Sequence, residues 1–310
     1  MKRVAITGGT GMIGGWITRA LRARGDEVII LTRQSTRAPG HVQWDPRKGV
    51  QDSAQLEGLD ACVHLTGAPI ASRPWTAARR KELWESRVDA TAVLLEVLSN
   101  LSAPPSVYVG AGGLGFYGDR GDEVLTEQAP AGTGFLAELA QAWEEAHFEA
   151  TALGCRASVM RKSIVLSPTG GTFPLMINPF RFGIGGWLGN GRQYTPWVSI
   201  RDTVSGYLLA IDDARVSGPV NLTVPEPSSN KAWSKALGRA LHRPVLGHAP
   251  KWALRGALGE LADDLFLASV RAVPAKLQGL GFEFEDVDAE ATFSWLVSDY
   301  MRRKGQPSAD

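Results

Sequence analysis

The residues whose types and spacing most clearly suggest chemistry are glycines near the start of the chain. Gly8, Gly11 and Gly14 follow the short apolar run 4–7 and lead directly into an amphipathic segment. A strand, a glycine turn and a helix in this order bind a pyrophosphate, because the helix N-terminus offers free N–H groups and a positive dipole end. We therefore predict a dinucleotide cradle, the alternative being an ordinary surface turn. The predicted cradle residues are Gly8, Thr10, Gly11, Met12, Ile13 and Gly14.

The second predicted strand, residues 27–33, indicates which dinucleotide the cradle would hold. NAD sites usually end this strand with an acidic residue that binds the ribose 2′-hydroxyl. Here the strand ends in Thr32-Arg33 and Arg37 follows. A guanidinium pairs with a 2′-phosphate, whereas a carboxylate would repel it. We therefore predict NADP(H) rather than NAD, the alternative being an exposed loop arginine.

Further along the chain, small residues and one arginine are expected beside the cofactor. Leu65, Thr66 and Gly67 follow the fourth strand, where the backbone must pass close to the ligand. Arg87 lies on a long predicted helix, about 77–101, that would run beside the cofactor, whereas Arg79 on the same helix is predicted to face solvent. Trp44, at the end of the third strand, either borders the adenine or packs as an ordinary strand-end aromatic residue.

The glycine-rich stretch 110–118 and the segment 170–192 indicate a substrate region. Glycines so dense after a strand are typical of a backbone that lies against a ligand or of a mobile loop. The segment 170–192 is rich in glycine and aromatic residues and is predicted to cover a substrate. Arg73, Trp75 and Arg192 are candidates to line a pocket for an anionic or sugar-like ligand.

Composition excludes several classes of function. The 310 residues are 44% hydrophobic and 21% charged with a net charge of +1, which gives no indication of nucleic-acid binding. The apolar runs are too short for a membrane span, and the five histidines show no metal-ligand spacing. Met1-Lys-Arg leads directly into the first strand, so no signal peptide is expected and the predicted location is cytoplasmic.

The alternation of strands and helices predicts an α/β protein with a Rossmann-type doubly wound parallel sheet and a smaller C-terminal substrate-side region. The predicted cofactor domain comprises residues 1–168, with a returning segment 195–225. The predicted smaller region comprises residues 169–194 and 226–310.

With these features the chain resembles the extended short-chain dehydrogenase/reductase superfamily, and in particular its atypical epimerase-like branch. The stretches that carry the resemblance are Thr7-Gly-Gly-Thr-Gly-Met-Ile-Gly14, Trp44-Asp-Pro46, 75–91, Pro179-Phe-Arg-Phe-Gly-Ile-Gly-Gly186 and Gly218-Pro-Val-Asn-Leu-Thr223. The resemblance implies an NADP(H)-dependent oxidoreductase or epimerase-like enzyme. It further implies that the cofactor contacts Thr32 and Arg33 at the 2′-phosphate, Leu65 and Thr66 at the adenosine, Glu82 and Arg87 along the helix, and Ser163 at the nicotinamide.

The superfamily's usual catalytic groups are not found at their expected positions. The tyrosine position falls at Leu136, the lysine position at Ala140, and the stretch 110–115 has no hydroxyl group in place of the expected serine. Tyr117 is the candidate substitute for acid–base catalysis, and its alternative is a packed tyrosine. Two functions therefore remain open: an enzyme that acts on an unidentified small molecule, and a non-catalytic NADP(H)-binding regulator or sensor. The resemblance also allows a homodimer.

Overall fold

Strands and helices alternate through most of the chain, as the apolar runs predict. The computed structural model describes residues 1–34, 38–50 and 52–305, so Arg37 lies outside the described residues. The strands are β1 Arg3–Thr7, β2 Glu27–Thr32, β3 His41–Asp45, β4 Gly49–Val50, β5 Ala61–His64, β6 Val107–Gly113, β7 Val124–Leu125, β8 Arg156–Lys162, β9 Ile164–Ser167, β10 Gly170–Gly171, β11 Gly186–Leu188, β12 Trp197–Ser199, β13 Gly218–Leu222, β14 Gly247–Ala249 and β15 Arg271–Ala272.

The helices vary in length, and two π-helical turns accompany them. The α-helices are α1 Met12–Ala23, α2 Ala77–Trp84, α3 Ala90–Ser99, α4 Phe135–Phe148, α5 Phe173–Arg181, α6 Ile200–Asp212, α7 Asn230–Ala240, α8 Lys251–Leu258, α9 Ala275–Gly279 and α10 Ala289–Arg303. The π-helical turns are Glu85–Asp89, which joins α2 to α3, and Ala262–Leu267. Such turns are rare and recur at functional sites.

The main sheet has the order β13–β8–β6–β5–β1–β2–β3–β4. β1 lies between β2 and β5 and is parallel to both, and β2/β3 and β5/β6 are also parallel pairs. The short β4 is antiparallel to β3. The chain thus winds outward from β1 in both directions, which confirms the predicted doubly wound α/β fold. The central strands are buried on both faces, which explains why they read as continuous apolar runs.

Contacts divide the chain into two units, each with its own core. The first comprises residues 1–113, 139–161 and 204–220, and the second comprises 114–138, 162–203 and 221–310. These limits differ from the predicted ones, because 114–138, 162–168, 195–203 and 221–225 belong to the second unit. The first core contains Leu31, Trp44, Leu94 and Tyr108.

The described residues of the second unit form three small sheets. β9 pairs antiparallel with β10 and parallel with β12, and parallel pairs join β11 to β14 and β15 to β7. The segment 195–225, which the sequence predicts to return to the cofactor domain, joins the main sheet through β13, whereas β12 pairs with β9 in a separate sheet. The main-sheet strand ends at Lys162, the N–H of Ser163 donates to the carbonyl of Leu222 at 3.1 Å, and the chain continues as β9 of a different sheet.

The core of the second unit is aromatic. Phe293 on α10 packs edge-on against Trp233 of α7 and lies parallel to Phe173 of α5, at centroid distances of 5.0 and 6.5 Å. This packing fixes the helices of the C-terminal region. Within the described ranges, no helix combines the length and apolar character needed to cross a bilayer. The same ranges contain no cluster of three His, Cys, Asp or Glu residues arranged to hold a metal ion.

Candidate functional site

The glycine turn after β1 has a backbone that only glycine accommodates. Gly8 has a φ of +69°, a conformation that residues with a Cβ rarely adopt. The N–H of Gly11 donates to the carbonyl of Gly8 at 2.9 Å and closes the turn. A Cβ added at Gly14 would lie 2.2 Å from that same carbonyl oxygen. The absence of a side chain at Gly14 therefore lets α1 pack directly against the turn.

The N-terminus of α1 lacks the usual protein partners. Gly11 occupies the N-cap position without a side chain to accept from the first turn, and the first turn contains no acidic residue. Thr10 and Gly11 are exposed, and Met12 and Ile13 are half-buried. The first N–H groups of a helix have no acceptor within the helix itself. The cradle therefore offers backbone donors and the positive end of the helix dipole to an anion.

The ends of β1 and β5 are tied together beside this cradle. Thr7 Oγ1 accepts the N–H of Leu65 at 3.1 Å and lies 2.7 Å from Nδ1 of His64. A Cβ added at Gly8 would lie 3.4 Å from the Cβ of Leu65, so the two loops are in contact. The structure thus brings Leu65, the first residue after β5, to the glycine turn. β1 and β5 are where the strand order reverses, and ligands of doubly wound sheets bind outside the carboxyl ends of the strands at such a point.

His64 is a part of this region that the sequence analysis missed. Its ring is fully buried, and burial lowers the pKa of His64 to about 3, so the ring is neutral at physiological pH. His147 packs edge-on against it at a centroid distance of 5.5 Å. His147 Nε2 lies 3.0 Å from the carbonyl of Ala111, which accepts the Nε2 proton. The signal for it in the sequence is that His64 directly follows the apolar run 61–63, which forms a strand that is buried throughout.

The end of β2 places Thr32 and Arg33 beside the glycine turn. Thr7 pairs in register with Leu31, so Thr32, the last residue of β2, and Arg33 after it lie at the edge of the sheet where the glycine turn begins. Thr32 is buried, and its hydroxyl accepts the N–H of Gln34 at 3.2 Å. Arg33 is exposed, and its guanidinium has no hydrogen-bond or ion-pair partner among residues 1–34, 38–50 and 52–305. The guanidinium of Arg33, the residue predicted to contact a 2′-phosphate, is therefore available to pair with an anion.

Arg87 lies in the π-helical turn Glu85–Asp89 and is buried. Its Nη2 donates to the carbonyl of Ala68 at 2.9 Å, and its guanidinium stacks on Trp143 at 5.0 Å from the ring centroid. A Cβ added at Gly67 would lie 3.2 Å from Cζ of Arg87, so a small residue is needed there. Burial and then the charge of Arg79 lower the pKa of Arg87 to about 10, which leaves it charged at neutral pH. Arg87 therefore fixes the loop after β5 through its contacts with Gly67 and Ala68.

Arg79 is buried, and the prediction that it faces solvent is wrong. Its guanidinium pairs with Glu82 at 2.7 Å and donates to Ser72 Oγ at 2.9 Å. Glu82 also pairs with Arg73, and hydrogen bonding from Arg79 followed by Arg73 keeps the pKa of Glu82 below its usual value. Glu82 thus organises two arginines, and its carboxylate is already engaged. The spacing of Arg79 and Glu82 on α2 is compatible with their ion pair, but it could not reveal the contact with Ser72, because that acceptor comes from the loop that precedes α2.

Trp44 lies in the core rather than at a ligand, which agrees with the plainer of its two interpretations. Its side chain is buried, and its ring packs edge-on against His64 at 6.2 Å between centroids.

Two predicted site residues lie in the second unit and are held by backbone and amide groups. Tyr117 is fully buried, and its hydroxyl lies 2.7 Å from Asn221 Oδ1 and 3.0 Å from the carbonyl of Thr126. Both neighbours are acceptors, so the phenol donates and its ionised form would face two oxygen atoms. This geometry does not favour the catalytic role suggested for Tyr117. The hydroxyl of Ser163 donates to the carbonyl of Leu222 at 3.1 Å.

The comparisons with known proteins agree with this geometry. Residues 4–222 match the model of the NAD dependent epimerase/dehydratase family, and residues 249–296 match a domain of unknown function, DUF1731. An epimerase family protein of Mycobacterium bovis is 40% identical over 91% of this chain and 93% of its own length. One of Bacillus subtilis is 32% identical over 96% of this chain and 98% of its own length.

Among solved structures, human epimerase family protein SDR39U1, crystallised with NADPH, superposes with a TM-score of 0.85 at 28% identity. That superposition covers 95% of this chain and 98% of the human chain. A nucleoside-diphosphate sugar epimerase of Corynebacterium glutamicum superposes with a TM-score of 0.79 at 34% identity, covering all of this chain and 59% of that one.

The doubly wound sheet and the glycine cradle define a nucleotide-binding protein of the Rossmann type, with a fold that binds NAD(P). The chain belongs to the NAD dependent epimerase/dehydratase family, and within it to the atypical, epimerase-like short-chain dehydrogenases/reductases.

Proposed function

We propose that this protein binds NADP(H) and uses it in an oxidoreductase or epimerase-like reaction on a small molecule. The observation that carries the choice of NADP(H) is the end of β2, where Arg33 is exposed without a partner in the described chain and no acidic residue follows Thr32. A carboxylate at this position would favour NAD. The presence of NADPH in the human relative supports the same choice.

The residues of the first unit fit such a cofactor. The N–H groups at the start of α1 would bind the pyrophosphate, because Gly11 leaves them without a side-chain acceptor. Arg33 would pair with the 2′-phosphate, beside Thr32, and Leu65 and Thr66 would border the adenosine. Arg87 would act as a positioning residue that fixes the loop at Gly67 and Ala68. A bound nicotinamide supplies or accepts a hydride, and a substrate hydroxyl or carbonyl is its chemical partner.

The test compares binding of NADPH and NADH to the wild-type protein and to Arg33→Ala. Loss of a charge-assisted contact to a phosphate weakens binding by roughly 10- to 100-fold. We expect this loss for NADPH, with little change for NADH. Fluorescence titration measures both affinities.

The matched control is Arg22→Ala, because Arg22 is also exposed and lies at the opposite end of α1. This variant should bind both nucleotides as the wild type does. Equal affinity of the wild-type protein for NADH and NADPH would refute the specificity, and failure to bind either nucleotide would refute the proposed function itself.

A second candidate is a sensor that holds NADP(H) without turnover. It is favoured by Leu136 and Ala140, which stand where the family resemblance places the catalytic tyrosine and lysine, and by the bonded state of Tyr117. The two candidates differ in one measurement. Bound NADPH should be oxidised on addition of carbonyl compounds if the protein is an enzyme and should stay reduced if it is a sensor.

A further inference from the structure

A cleft of about 290 Å³ lies within the second unit. Four segments line it: the end of the glycine-rich stretch at 115–119, the start of α4 with the residues before it at 133–137, the first turns of α8 at 251–255, and the π-helical turn with the residues after it at 263–268. Small-molecule sites usually measure about 300–1,000 Å³, so this cleft suits a small metabolite rather than a nucleotide sugar. The presence of a π-helical turn in its wall is typical of functional sites.

The carboxylates of the cleft already have donors. Asp263 pairs with Arg255, whose Nε lies 3.0 Å from Oδ1. Asp264 accepts the backbone N–H of Leu136 at 3.2 Å and so caps the first turn of α4. Asp119 accepts the N–H of Ser269 at 3.0 Å. The three carboxylates are therefore satisfied by groups of the protein itself, and they give no indication of a cationic ligand.

Lys251 is the cation of the cleft that remains available. It is exposed, and its ammonium has no hydrogen bond or ion pair with any residue that the structure describes. It lies in the first turn of α8, where the helix dipole disfavours a positive charge. The ammonium of Lys251 is therefore available to pair with an anionic ligand.

The stem of Lys251 has a defined support. Gly189 has a φ of +56°, and a Cβ added there would lie 3.3 Å from both Cγ and Cε of Lys251. The bare backbone of Gly189 therefore gives the stem a surface to lie on. A stem that is held in this way loses less conformational freedom when the ammonium binds an anion.

The cleft also offers a surface for a carbon skeleton. Leu136, Ala137 and Leu267 are apolar residues in its walls, and Gly115 and Gly118 expose backbone instead of side chains. By the family resemblance, Leu136 stands at the position of the proton-transferring tyrosine.

We infer that this cleft binds a small anionic molecule, a carboxylate or a phosphate ester, whose acidic group pairs with Lys251 and whose carbon skeleton lies on the apolar wall around Leu136. That this molecule is the substrate of the NADP(H)-dependent reaction rests on the proposed function. Binding of the anion itself does not.

The test measures how fast acetic anhydride acetylates Lys251 in the whole protein, read by mass spectrometry of the modified peptides. The probes are pyruvate and 2-oxobutyrate, each compared with its uncharged amide, and inorganic phosphate. At a probe concentration ten times its dissociation constant, about 10% of the sites are free, so full protection would slow acetylation of Lys251 about tenfold. We expect a slowing of at least fivefold. The amides should have no effect.

Lys235 is the matched control, because it is also exposed and lies on α7, outside the cleft. Its acetylation should not change with any probe. Protection by the oxo acids alone would assign a carboxylate site, and protection by phosphate alone would assign a phosphate site. The inference is overturned if no probe protects Lys251, if the amides protect it equally, or if Lys235 is protected to the same extent.

The variant Lys251→Gln separates this inference from the proposed function. It should bind NADPH as the wild type does, since the predicted cofactor residues of the cradle lie in the first unit. In any carbonyl reduction found for the wild type, it should raise KM for the anionic substrate about tenfold or more with a smaller change in kcat. Wild-type protein that fails to bind NADPH would refute the proposed function and leave the labelling result at Lys251 intact.

Discussion

Two buried tyrosines of this protein differ in what their hydroxyl groups contact. The hydroxyl of Tyr117 donates to Asn221 Oδ1 at 2.7 Å. The hydroxyl of Tyr207 is buried without a hydrogen-bond partner in the described part of the chain. Burial of a polar group costs free energy unless a hydrogen bond compensates it. The same chemical change should therefore have opposite consequences at the two positions.

We predict that Tyr117→Phe lowers the free energy of unfolding by about 1–3 kcal/mol, because it leaves buried acceptors without their donor. Tyr207→Phe should leave that free energy unchanged or raise it. Urea denaturation of both variants measures the difference. Affinity for NADPH should be the same in both. A loss of stability in Tyr207→Phe as large as that in Tyr117→Phe would contradict this assignment of partners.

In helix α1, two adjacent glycines, Gly14 and Gly15, differ in the space available for a side chain. A Cβ at Gly14 would lie 2.2 Å from the carbonyl oxygen of Gly8, whereas the nearest atom to a Cβ at Gly15 would be the carbonyl oxygen of Gly9 at 3.8 Å. A side chain at position 14 would therefore push the helix away from the turn, whereas one at position 15 would make an ordinary van der Waals contact. Alanine also forms helices better than glycine by about 1 kcal/mol.

Gly14→Ala should therefore destabilise the protein by roughly 1–3 kcal/mol and weaken NADPH binding by more than tenfold, because the turn can no longer close on the helix. Gly15→Ala should raise the free energy of unfolding by up to about 1 kcal/mol and keep the affinity. Thermal unfolding and a nucleotide titration of the pair test both statements. Similar behaviour of the two variants would show that α1 does not pack on the turn as described.

At the scale of the whole molecule, the fully buried His64 links stability to pH. Burial lowers its pKa from 6.5 to about 3, so the folded protein keeps the ring neutral while the unfolded chain protonates it below pH 6.5. The unfolded state then binds more protons than the folded state, and stability falls as the pH decreases through this range. The slope from one such group is at most about 1.4 kcal/mol per pH unit.

We predict that wild-type protein loses about 1 kcal/mol more unfolding free energy between pH 7 and pH 5.5 than His64→Asn does. The neighbouring His147 is present in both proteins, so the difference between the two profiles isolates His64. Urea denaturation across this pH range measures it. Parallel profiles would mean that the ring of His64 is not buried in its neutral form.

Features that depend on residues adjacent in the chain can be predicted without the structure. The order of strand, glycine turn and helix at 4–14 sets the cradle, since a positive φ at Gly8 and close packing at Gly14 are local requirements. The apolar runs set the parallel sheet, because strands buried on both faces are apolar throughout. The absence of an acidic residue after Thr32 is likewise visible in the sequence alone.

Features that depend on contacts between residues far apart in the chain are visible in the folded structure but not in the sequence. Arg79 contacts Ser72 in the loop before α2 as well as Glu82 on its own helix, and the hydroxyl of Tyr117 donates a hydrogen bond to Asn221, which is 104 residues away. The strand after Ser163 leaves the main sheet because β12 offers it a different partner. Lys251 meets the start of α4 at one cleft for the same reason. Periodicity and propensity describe one segment at a time, whereas burial, pKa shifts and available charges arise from contacts between segments.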